Sequence, residues 1–417
     1  MTADAPPPPR ELVDHYFRHE HGRLVAVLVR RVGLQHVEAV EDAVQGAMMA
    51  ALGAWARKGV PDEPGAWLYR VAHNELLDAL RTERRRRRIL DEASPAEEAL
   101  AQPAAATFED EVRDELLRML FICCDERVPE ASRLVLALKT LCGFSTSEIA
   151  ARLFTSDANV YKRLARARAR LGELAVDLST PPLDALRARL PSVHAVIYLL
   201  FNEGYLSSRA DQAIRVELCE EALRLGGLLA AHRVGASPQT AALMALMHLH
   251  AARLAARTDA TGGLLLLQEQ DRSRWDARHL REGARWLERS ARGDAVTRYH
   301  AEAGIAAEHA FAPSFEATDW GAIAALYERL ERVAPSPLHR LNRAVAVAER
   351  DGASAGLLLL DGRSPPGWLE GHYLWEAVLA DLHRRAGDRG PAAAHRERAL
   401  AAAPSEAVRA LLRRRLA

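Results

Sequence analysis

Residues 143–171 read GFSTSEIAARLFTSDANVYKRLARARARL, and this stretch contains two helical patterns separated by a short turn. Ser145 and Glu148 fit a capping box, in which the serine oxygen accepts a hydrogen bond from a first-turn amide and the glutamate reaches back. After residues 154–156 a second helix is predicted, because apolar residues recur at helical spacing. The stretch therefore predicts a helix-turn-helix. The apolar positions of its second helix are Val160, Leu164, Ala167 and Leu171.

The outward face of that second helix is rich in cations. Within residues 157–171 only Asp157 offsets their charge. Arginine and lysine suit phosphate or guanine and asparagine suits adenine, so this set of side chains fits a major groove. The alternative interpretation is an ordinary solvated helix face. The residues that we predict to contact DNA here are Asn159, Lys162, Arg163, Arg166 and Arg170.

A second basic run, RTERRRRR at residues 81–88, precedes the one at residues 162–170 by some eighty residues. The chain has 56 Lys and Arg against 56 Asp and Glu, so its formal net charge is zero. A local cluster still attracts phosphate, because charges are screened over about 8 to 10 Å and near neighbours set the field. The two runs therefore indicate two separate contacts with a nucleic-acid backbone.

Composition favours an all-α protein. The 417 residues suffice for roughly two to four domains, each with its own core. Hydrophobic residues make up 49% of the chain and aromatic residues only 6%, while alanine, leucine and arginine dominate, which favours helix. We therefore expect almost no sheet. The four cysteines lack C-x-x-C spacing and are interpreted as buried thiols in a reducing compartment.

The sequence predicts neither a membrane segment nor a secretion signal. Its longest apolar run lies near residues 194–201, well short of the ~18 residues that span a bilayer. The opening residues MTADAPPPPR lack the basic leader and apolar stretch of a signal peptide. We expect a cytoplasmic protein without a membrane partner.

A helix is predicted around residues 40–55. Its apolar residues fall at i, i+4, i+7, i+11 and i+15 and form one stripe, which leaves a second face for a partner. Glycine and proline in residues 59–65 interrupt this helix, and another follows over residues 66–88. The stripe consists of Val40, Val44, Ala47, Ala51 and Trp55, and the second face carries Asp42, Gln45 and Met49.

Residues 91–115 contain nine Asp or Glu against one Arg, together with Pro95 and Pro103. This composition is typical of a linker. The segment is either a solvated tether or an acidic strand that threads a basic channel in a partner, and composition does not choose between the two.

Beyond Pro181 and Pro182 the chain is predicted to be helical to its end. LNRAVAVAERDGASAG at residues 341–356 is similar to WEAVLADLHRRAGDRGPAAA at residues 375–394, with their glycines, Gly352 and Gly387, thirty-five residues apart. This period suits helical hairpins like those of tetratricopeptide (TPR) repeats. The small residues after each glycine predict close packing of two helices.

Three stretches together resemble a sigma factor of the extracytoplasmic-function (ECF) class, within the sigma-70 family. They are VEDAVQGAMMAALGAW (residues 40–55), PGAWLYRVAHNELLDALRTERR (64–85) and the helix-turn-helix stretch. The rest of the chain resembles the long C-terminal extension of one subgroup of these sigma factors. That likeness rests on HAVIYLLFNEGY (194–205), LLLLQEQDRSRWD (264–276), TDWGAIAALYERL (318–330) and SPLHRLNRAVAVAE (336–349).

The resemblance implies a division of the chain into four parts. Sigma region 2 would occupy residues 10–90, and residues 91–115 would be the acidic linker. Sigma region 4 would occupy residues 116–178 and carry the helix-turn-helix, and a TPR-like regulatory extension would fill residues 183–417.

The resemblance also implies the partners, which are promoter DNA and core RNA polymerase, contacted at the clamp of its large subunit and at its flap region. Asp42 and Gln45 would bind the clamp, although Gly46 and Ala47 stand where the family has an acidic and a bulky residue. A regulatory protein is a further expected partner of the extension. Neither catalysis nor a cofactor is implied.

Region 4 would bind the upstream −35 element, and region 2 would hold the melted strand of the −10 element. Opened bases need a stacking surface and the backbone needs cations. A structural interpretation is also open for Trp67 as a core residue, for Asp78 with Arg81 as an ion pair, and for the arginine run as a helix end. The −10 residues implied are Trp67, Asn74, Arg81, Arg84 and Arg85.

Other functions are weaker but stay open. A one-component transcription regulator would combine the DNA-binding N-terminal part with a helical sensor, and a helical scaffold would leave both basic runs unexplained. An enzyme is disfavoured because the chain lacks G-x-S-x-G, H-E-x-x-H and phosphate-loop motifs. Residues 201–205 and 270–276 are predicted to be buried turns that brace helices or form a regulatory contact. Weak catalytic or metal candidates are His15, His19, His21, His248, His250, Asp271, Asp276 and Asp319.

Overall fold

The computed structural model describes residues 9–87, 108–173, 182–207, 213–362 and 365–417. These ranges fold into α-helices joined by turns, and their β structure is limited to an isolated bridge between Thr258 and Leu264. The prediction of an all-α fold is therefore confirmed. The chain divides into two compact units, Met1–Leu200 and Phe201–Ala417. Residues 88–107, which include most of the predicted acidic linker, lie outside the described residues.

Three helices begin the first unit: α1 (Pro9–Val32), α2 (Val37–Lys58) and α3 (Pro64–Arg87). Gly33 and Gly59 flank α2 with φ of 91° and 79°, a conformation that glycine adopts without strain. The predicted apolar stripe of α2 is buried, since each of its five members is at most 4% exposed. It packs α2 against α1 and α3.

Four helices form the next block of the first unit, and the predicted helix-turn-helix lies at its end. The capping box is present, with Ser145 Oγ accepting from the Glu148 amide at 3.2 Å and Glu148 Oε2 accepting from the Ser145 amide at 2.7 Å. The predicted apolar positions of the second helix are at most 6% exposed. The four helices are α4 (Phe108–Cys123), α5 (Glu130–Thr140), α6 (Thr146–Arg152) and α7 (Asp157–Glu173).

The C-terminal end of the predicted linker is helical, because α4 begins at Phe108. Acidic residues in a first helical turn interact favourably with the helix dipole. Further along, Leu116 and Leu120 lie one turn apart and are both buried. Glu115 is itself buried and accepts hydrogen bonds from Arg30 at 2.6 Å and Arg118 at 3.1 Å. Its charge is therefore part of a packed helix.

Helix α8 (Leu183–Tyr205) crosses the boundary between the two units, and the second unit is otherwise a succession of shorter helices. The predicted segment HAVIYLLF lies within α8. The helices that follow are α9 (Val216–Ala231), α10 (Pro238–Ala251), α11 (Ala277–Ser290), α12 (Arg298–Phe311), α13 (Trp320–Val333), α14 (Pro337–Asp351), α15 (Ala353–Leu360), α16 (Tyr373–Ala386), α17 (Arg389–Ala401) and α18 (Glu406–Arg415).

The prediction of a buried turn at residues 201–205 is wrong, because this segment is the last turn of α8. Glu203 is fully buried and pairs with Arg215 Nη1 at 3.4 Å, while Ser207 Oγ donates to it at 2.9 Å. The guanidinium of Arg257 lies 3.7 Å from the ring centroid of Tyr205. These contacts stabilise the start of the second unit. Residues 270–276 do connect two helices, through a short 3-10 helix at Arg272–Arg274, but only Gln270 and Trp275 among them are buried.

The two similar segments near the C-terminus form two helical hairpins, α14 with α15 and α16 with α17. Gly352 and Gly387 end the first helix of each hairpin with φ of 95° and 90°. Gly356 explains the close packing predicted from the small residues, because a Cβ there would lie 2.6 Å from the Ala344 carbonyl oxygen. Two consecutive helical hairpins are thus present where the repeat was predicted. Their relation to TPR repeats stays a prediction.

Candidate nucleic-acid and polymerase interfaces

The predicted polymerase face of α2 is exposed. Asp42 and Gln45 point away from the buried stripe, and Met49, one turn further, is 67% exposed. An exposed methionine beside a carboxylate and an amide gives this face an apolar centre as well as charge. The face is thus available to a partner protein.

Gly46, the departure from the family pattern on α2, has a structural explanation. A Cβ at this position would lie 1.9 Å from Glu75 Oε2 of α3. The absent side chain therefore lets the Glu75 carboxylate lie against α2, where partial desolvation raises the pKa of that otherwise exposed carboxyl group. The sequence alone gives no sign of this contact, because the two residues lie on different helices.

On α3 the predicted DNA residues differ in exposure. Trp67 is half-buried and makes an edge-to-face contact with Trp55, with ring centroids 5.7 Å apart, so part of its ring belongs to the core. Asn74 is exposed and lies 3.4 Å from His73 Nδ1. Arg81 and Arg85 are exposed, and Arg81 lies 3.7 Å from Asp78 as the ion-pair interpretation predicts. The side chain of Arg84 is outside the described set.

On α7 the predicted DNA face is present but uneven. Lys162, Arg166 and Arg170 are exposed, whereas Arg163 is half-buried. Asn159 is also half-buried, because its Nδ2 donates to Thr155 Oγ1 at 2.7 Å in the turn before the helix. The three exposed cations form a continuous basic track along one side of α7.

Two aromatic residues beside this track were not among the predicted site residues. Tyr161 is 62% exposed on α7, and Phe154 is 43% exposed in the turn, where its φ of 49° is unusual for a residue other than glycine. The sequence signal was an aromatic residue directly after an apolar one, Leu153 before Phe154 and Val160 before Tyr161. Both rings are exposed to solvent.

Arg168 is a further residue that the sequence did not single out. Its guanidinium donates to Glu38 at 2.8 Å and to Glu41 at 2.5 Å, and both carboxylates belong to α2. Glu41 is 4% exposed and accepts a second hydrogen bond from Thr140 Oγ1 at 2.6 Å. The only cue in the sequence was that Arg168 departs from the outward face of the other cations.

The packing of α1 extends this contact between the two blocks of the first unit. Gly22 of α1 approaches α5 so closely that a Cβ would lie 2.3 Å from the Leu141 carbonyl oxygen. The neighbouring His21 is buried, and burial together with Lys139 lowers its pKa to about 4. The two blocks of the first unit therefore share a buried interface, formed by α1 and α2 on one side and by α5 and α7 on the other.

The weak catalytic candidates have local structural roles. Asp276 and Asp319 cap α11 and α13 by accepting hydrogen bonds from first-turn amides, and Asp271 caps a short turn in the same way. His248 and His279 contact each other through their Nδ1 atoms at 2.9 Å. In the described part of the chain no three His, Cys, Asp or Glu residues are grouped to hold a metal. The side chains of His15 and His19 fall outside that part.

The cysteines are buried free thiols, as predicted. Burial raises the pKa of Cys124 to about 12 and that of Cys123 well above its usual range. Both thiols therefore stay protonated and unreactive at neutral pH.

Known proteins share these regions. Residues 17–86 match Sigma-70 region 2 and residues 118–171 match Sigma-70 region 4. The RNA polymerase sigma factor NccH of Alcaligenes xylosoxydans xylosoxydans is 34% identical over 156 residues, which cover 37% of this chain and 82% of NccH. The chain belongs to the sigma-70 family. The two matched regions contain α2 with its exposed face, α3 with its arginine run, and α7 with its basic track.

Other comparisons extend over the second part of this sigma-70 family member. An uncharacterized protein of Rhizobium meliloti (strain 1021) is 34% identical over 389 residues, or 92% of this chain and 90% of that protein. Residues 189–291 match a family of unknown function, DUF6596. No solved structure gives a significant match. No helix within the described ranges is long and apolar enough to cross a membrane.

Proposed function

We propose that this sigma factor belongs to the ECF class, that it recruits core RNA polymerase to specific promoters, and that it supports strand opening without catalysis or a cofactor of its own. The carrying observation is that two exposed basic surfaces lie on separate helices within the two matched sigma regions. The exposed face of α2 precedes both of them in sequence. The cell compartment proposed is the cytoplasm.

The face of α2 is the proposed contact with the polymerase clamp. Asp42 supplies a negative charge, Gln45 supplies hydrogen-bonding groups and Met49 adds apolar area. An interface core of this kind combines burial of an apolar side chain with polar contacts at its rim. Region 4 is the proposed contact with the flap region.

The basic track of α7 is the proposed reader of the −35 element. Its exposed cations suit phosphates and guanine edges, and Asn159 lies at its N-terminal end. On α3, Arg81 and Arg85 would hold the backbone of the melted −10 strand, and the open edge of Trp67 with Asn74 would meet the bases. Each phosphate contact steepens the fall of log affinity with log salt concentration by about 0.9.

The second unit is the proposed regulator. The proposed division is region 2 at residues 10–90, a linker at 91–115 of which the end is helical, region 4 at 116–178 and a TPR-like extension at 183–417. Stacked helical hairpins provide extended surfaces for partners, which supports a regulatory protein as the partner of this extension.

In vitro transcription with purified core polymerase tests the proposal. Promoter fragments taken from the chromosome that encodes this chain, run with core polymerase alone as the control, should give transcripts only when the chain is added. A second arm measures DNA binding without polymerase. Strong sequence-specific binding by the chain alone, with no transcript in any reconstituted reaction, would instead support the one-component regulator.

A further inference from the structure

The second unit contains a cavity of about 780 Å³ whose role the sigma-factor assignment does not explain. Its walls come from α13, α14, α16 and α18 and from residues 266–269. Cavities of about 300 to 1,000 Å³ are the usual size for binding a small molecule or a short peptide segment. Its two ends differ in chemistry.

One end of the cavity is aromatic. Trp320 makes edge-to-face contacts with Phe315 and with His309, at centroid distances of 5.2 and 5.3 Å. Burial, with Arg253 and Arg272 nearby, lowers the pKa of His309 to about 4, so its ring is neutral at physiological pH. This end therefore offers three uncharged rings to an apolar group.

The other end of the cavity is cationic. Asp381 is 5% exposed, and three guanidinium groups converge on it, from Arg384 at 2.9 Å, Arg415 at 3.5 Å and Arg385 at 3.6 Å. Arg385 also pairs with Glu349 at 2.6 Å. One buried carboxylate cannot saturate the donors of three arginines, since each guanidinium carries five N–H groups.

The charged residues along the cavity wall carry a net positive charge, like the cationic end. Among the described residues that line the cavity, four are arginines and three are carboxylates, and the fourth arginine, Arg414, pairs with Glu269 at 3.0 Å. The wall thus keeps one surplus positive charge beside the Asp381 cluster. Arg384, with 45% of its side chain exposed, is the member of that cluster with the most room for another partner.

We propose that this cavity binds a ligand that carries a carboxylate and an apolar or aromatic group. The carboxylate would accept hydrogen bonds from the Asp381 cluster of arginines, in the bidentate geometry that guanidinium groups favour. The apolar group would lie against Trp320 and Phe315. A cationic ligand is disfavoured by the surplus charge of the wall. The carboxylate comes either from the C-terminus of a peptide or from a small aromatic acid, and both present the same chemistry.

Isothermal titration calorimetry on the full chain distinguishes the two sources. The probes are N-acetyl-Ala-Ala-Phe as the free acid and as the C-terminal amide, and indole-3-acetate with the neutral 3-methylindole. We expect at least one acid to bind at one site per chain, about tenfold or more tightly than its neutral partner. Binding of the peptide acid or of indole-3-acetate identifies the source.

Variants locate the site. Arg384→Gln leaves Asp381 paired with two other arginines, so the fold is retained, and we expect it to weaken the acid about five- to tenfold without changing the neutral probe. Arg389→Gln is the matched control, since Arg389 is exposed on α17 outside the cavity. It should change neither the affinity for the acid nor that for the neutral probe. Phe315→Ala should weaken acid and neutral probes alike.

The proposal is overturned if neither acid binds at about 1 mM, if each acid and its neutral partner bind equally, or if Arg384→Gln and Arg389→Gln behave alike. Binding is measured without polymerase or promoter DNA. Its failure therefore leaves the transcription test untouched, and the reverse also holds.

Discussion

The guanidinium of Arg168 on α7 forms an ion pair with Glu41 on α2, with an Nη2 to Oε2 distance of 2.5 Å. Glu41 also accepts a hydrogen bond from Thr140 at the end of α5. One buried carboxylate therefore joins the helix proposed to read the −35 element to the helix proposed to bind polymerase. A second close contact between the same two blocks is the packing of Gly22 of α1 against Leu141 at the end of α5.

Replacing Arg168 by alanine should leave Glu41 buried without its charged partner. Loss of one partner of a buried pair is strongly destabilising. Because Arg168 keeps 20% of its side chain exposed, we expect the free energy of unfolding to fall by about 2 to 3 kcal/mol. Denaturant unfolding measures this loss, and hydrogen exchange should rise in α7. Arg166→Ala is the control, since Arg166 is exposed on the same helix; equal losses in the two variants would contradict the role assigned to the pair.

Replacing Arg163 and Arg166 together by alanine should weaken promoter use through the −35 element. Each lost phosphate contact lowers the slope of log affinity against log salt by about 0.9, and each lost base contact costs about 1 to 3 kcal/mol. Transcription titrations at several salt concentrations measure both effects. Arg187→Ala, on exposed positions of α8, should behave as the parent chain. An unchanged response to −35 sequence in the double variant would reject the assignment to α7.

Replacing Asp42 by arginine should weaken binding to core polymerase by about tenfold or more, because it reverses a charge at the proposed interface. Fluorescence anisotropy of a labelled chain titrated with core polymerase measures the change. Asp62→Arg reverses an exposed charge in the loop before α3 and serves as the control. The proposed clamp contact fails if the two variants bind core equally well.

Much of this site was predictable from local sequence. Helical spacing located the buried stripe of α2 and its exposed face, and the Ser145–Glu148 capping box located the start of α6. Both signals involve residues only three or four positions apart, so a short stretch of sequence contains them. The basic track on α7 followed in the same way.

Contacts between distant helices were not predictable. Helical spacing sets Arg168 apart from the outward cations, but its partners on α2, about 130 residues away, could not be predicted. Gly46 on α2 departs from the pattern expected for the polymerase face. Only the structure shows that the absence of its side chain leaves room for Glu75. Glu115, in the acidic segment, is buried beside Arg30 of α1, about 85 residues away. In each case tertiary packing decides what local composition leaves open.

The stability of the first unit should depend on pH through His21. Its pKa is lowered from the usual 6.5 to about 4 in the folded chain. The unfolded chain therefore binds more protons between these values, so the stabilisation from neutral His21 is complete above pH 6.5 and is lost as pH falls toward 4. The full loss is about 3 kcal/mol. Urea unfolding from pH 7 to pH 4 measures it, and His21→Gln should flatten the profile. His73→Gln, a partly exposed histidine on α3, should not.

Gly22 and Gly46 provide a matched pair of glycine-to-alanine tests. Alanine is favoured over glycine inside a helix by up to about 1 kcal/mol. At Gly22 the new Cβ meets the Leu141 carbonyl oxygen, which is backbone and cannot move aside, so we expect a net loss of about 1 to 3 kcal/mol in unfolding free energy.

At Gly46 the new Cβ meets only the end of the Glu75 side chain, which is exposed and can rotate into solvent. Gly46→Ala should therefore keep part of the helix-propensity gain and stabilise the chain by about 0.5 kcal/mol. Urea unfolding of the Gly22→Ala and Gly46→Ala variants measures the difference in their unfolding free energies. In a chain that already carries Glu75→Ala, the stabilisation by Gly46→Ala should be larger. A Gly22→Ala chain as stable as the Gly46→Ala chain would show that α1 does not pack on α5 as closely as described.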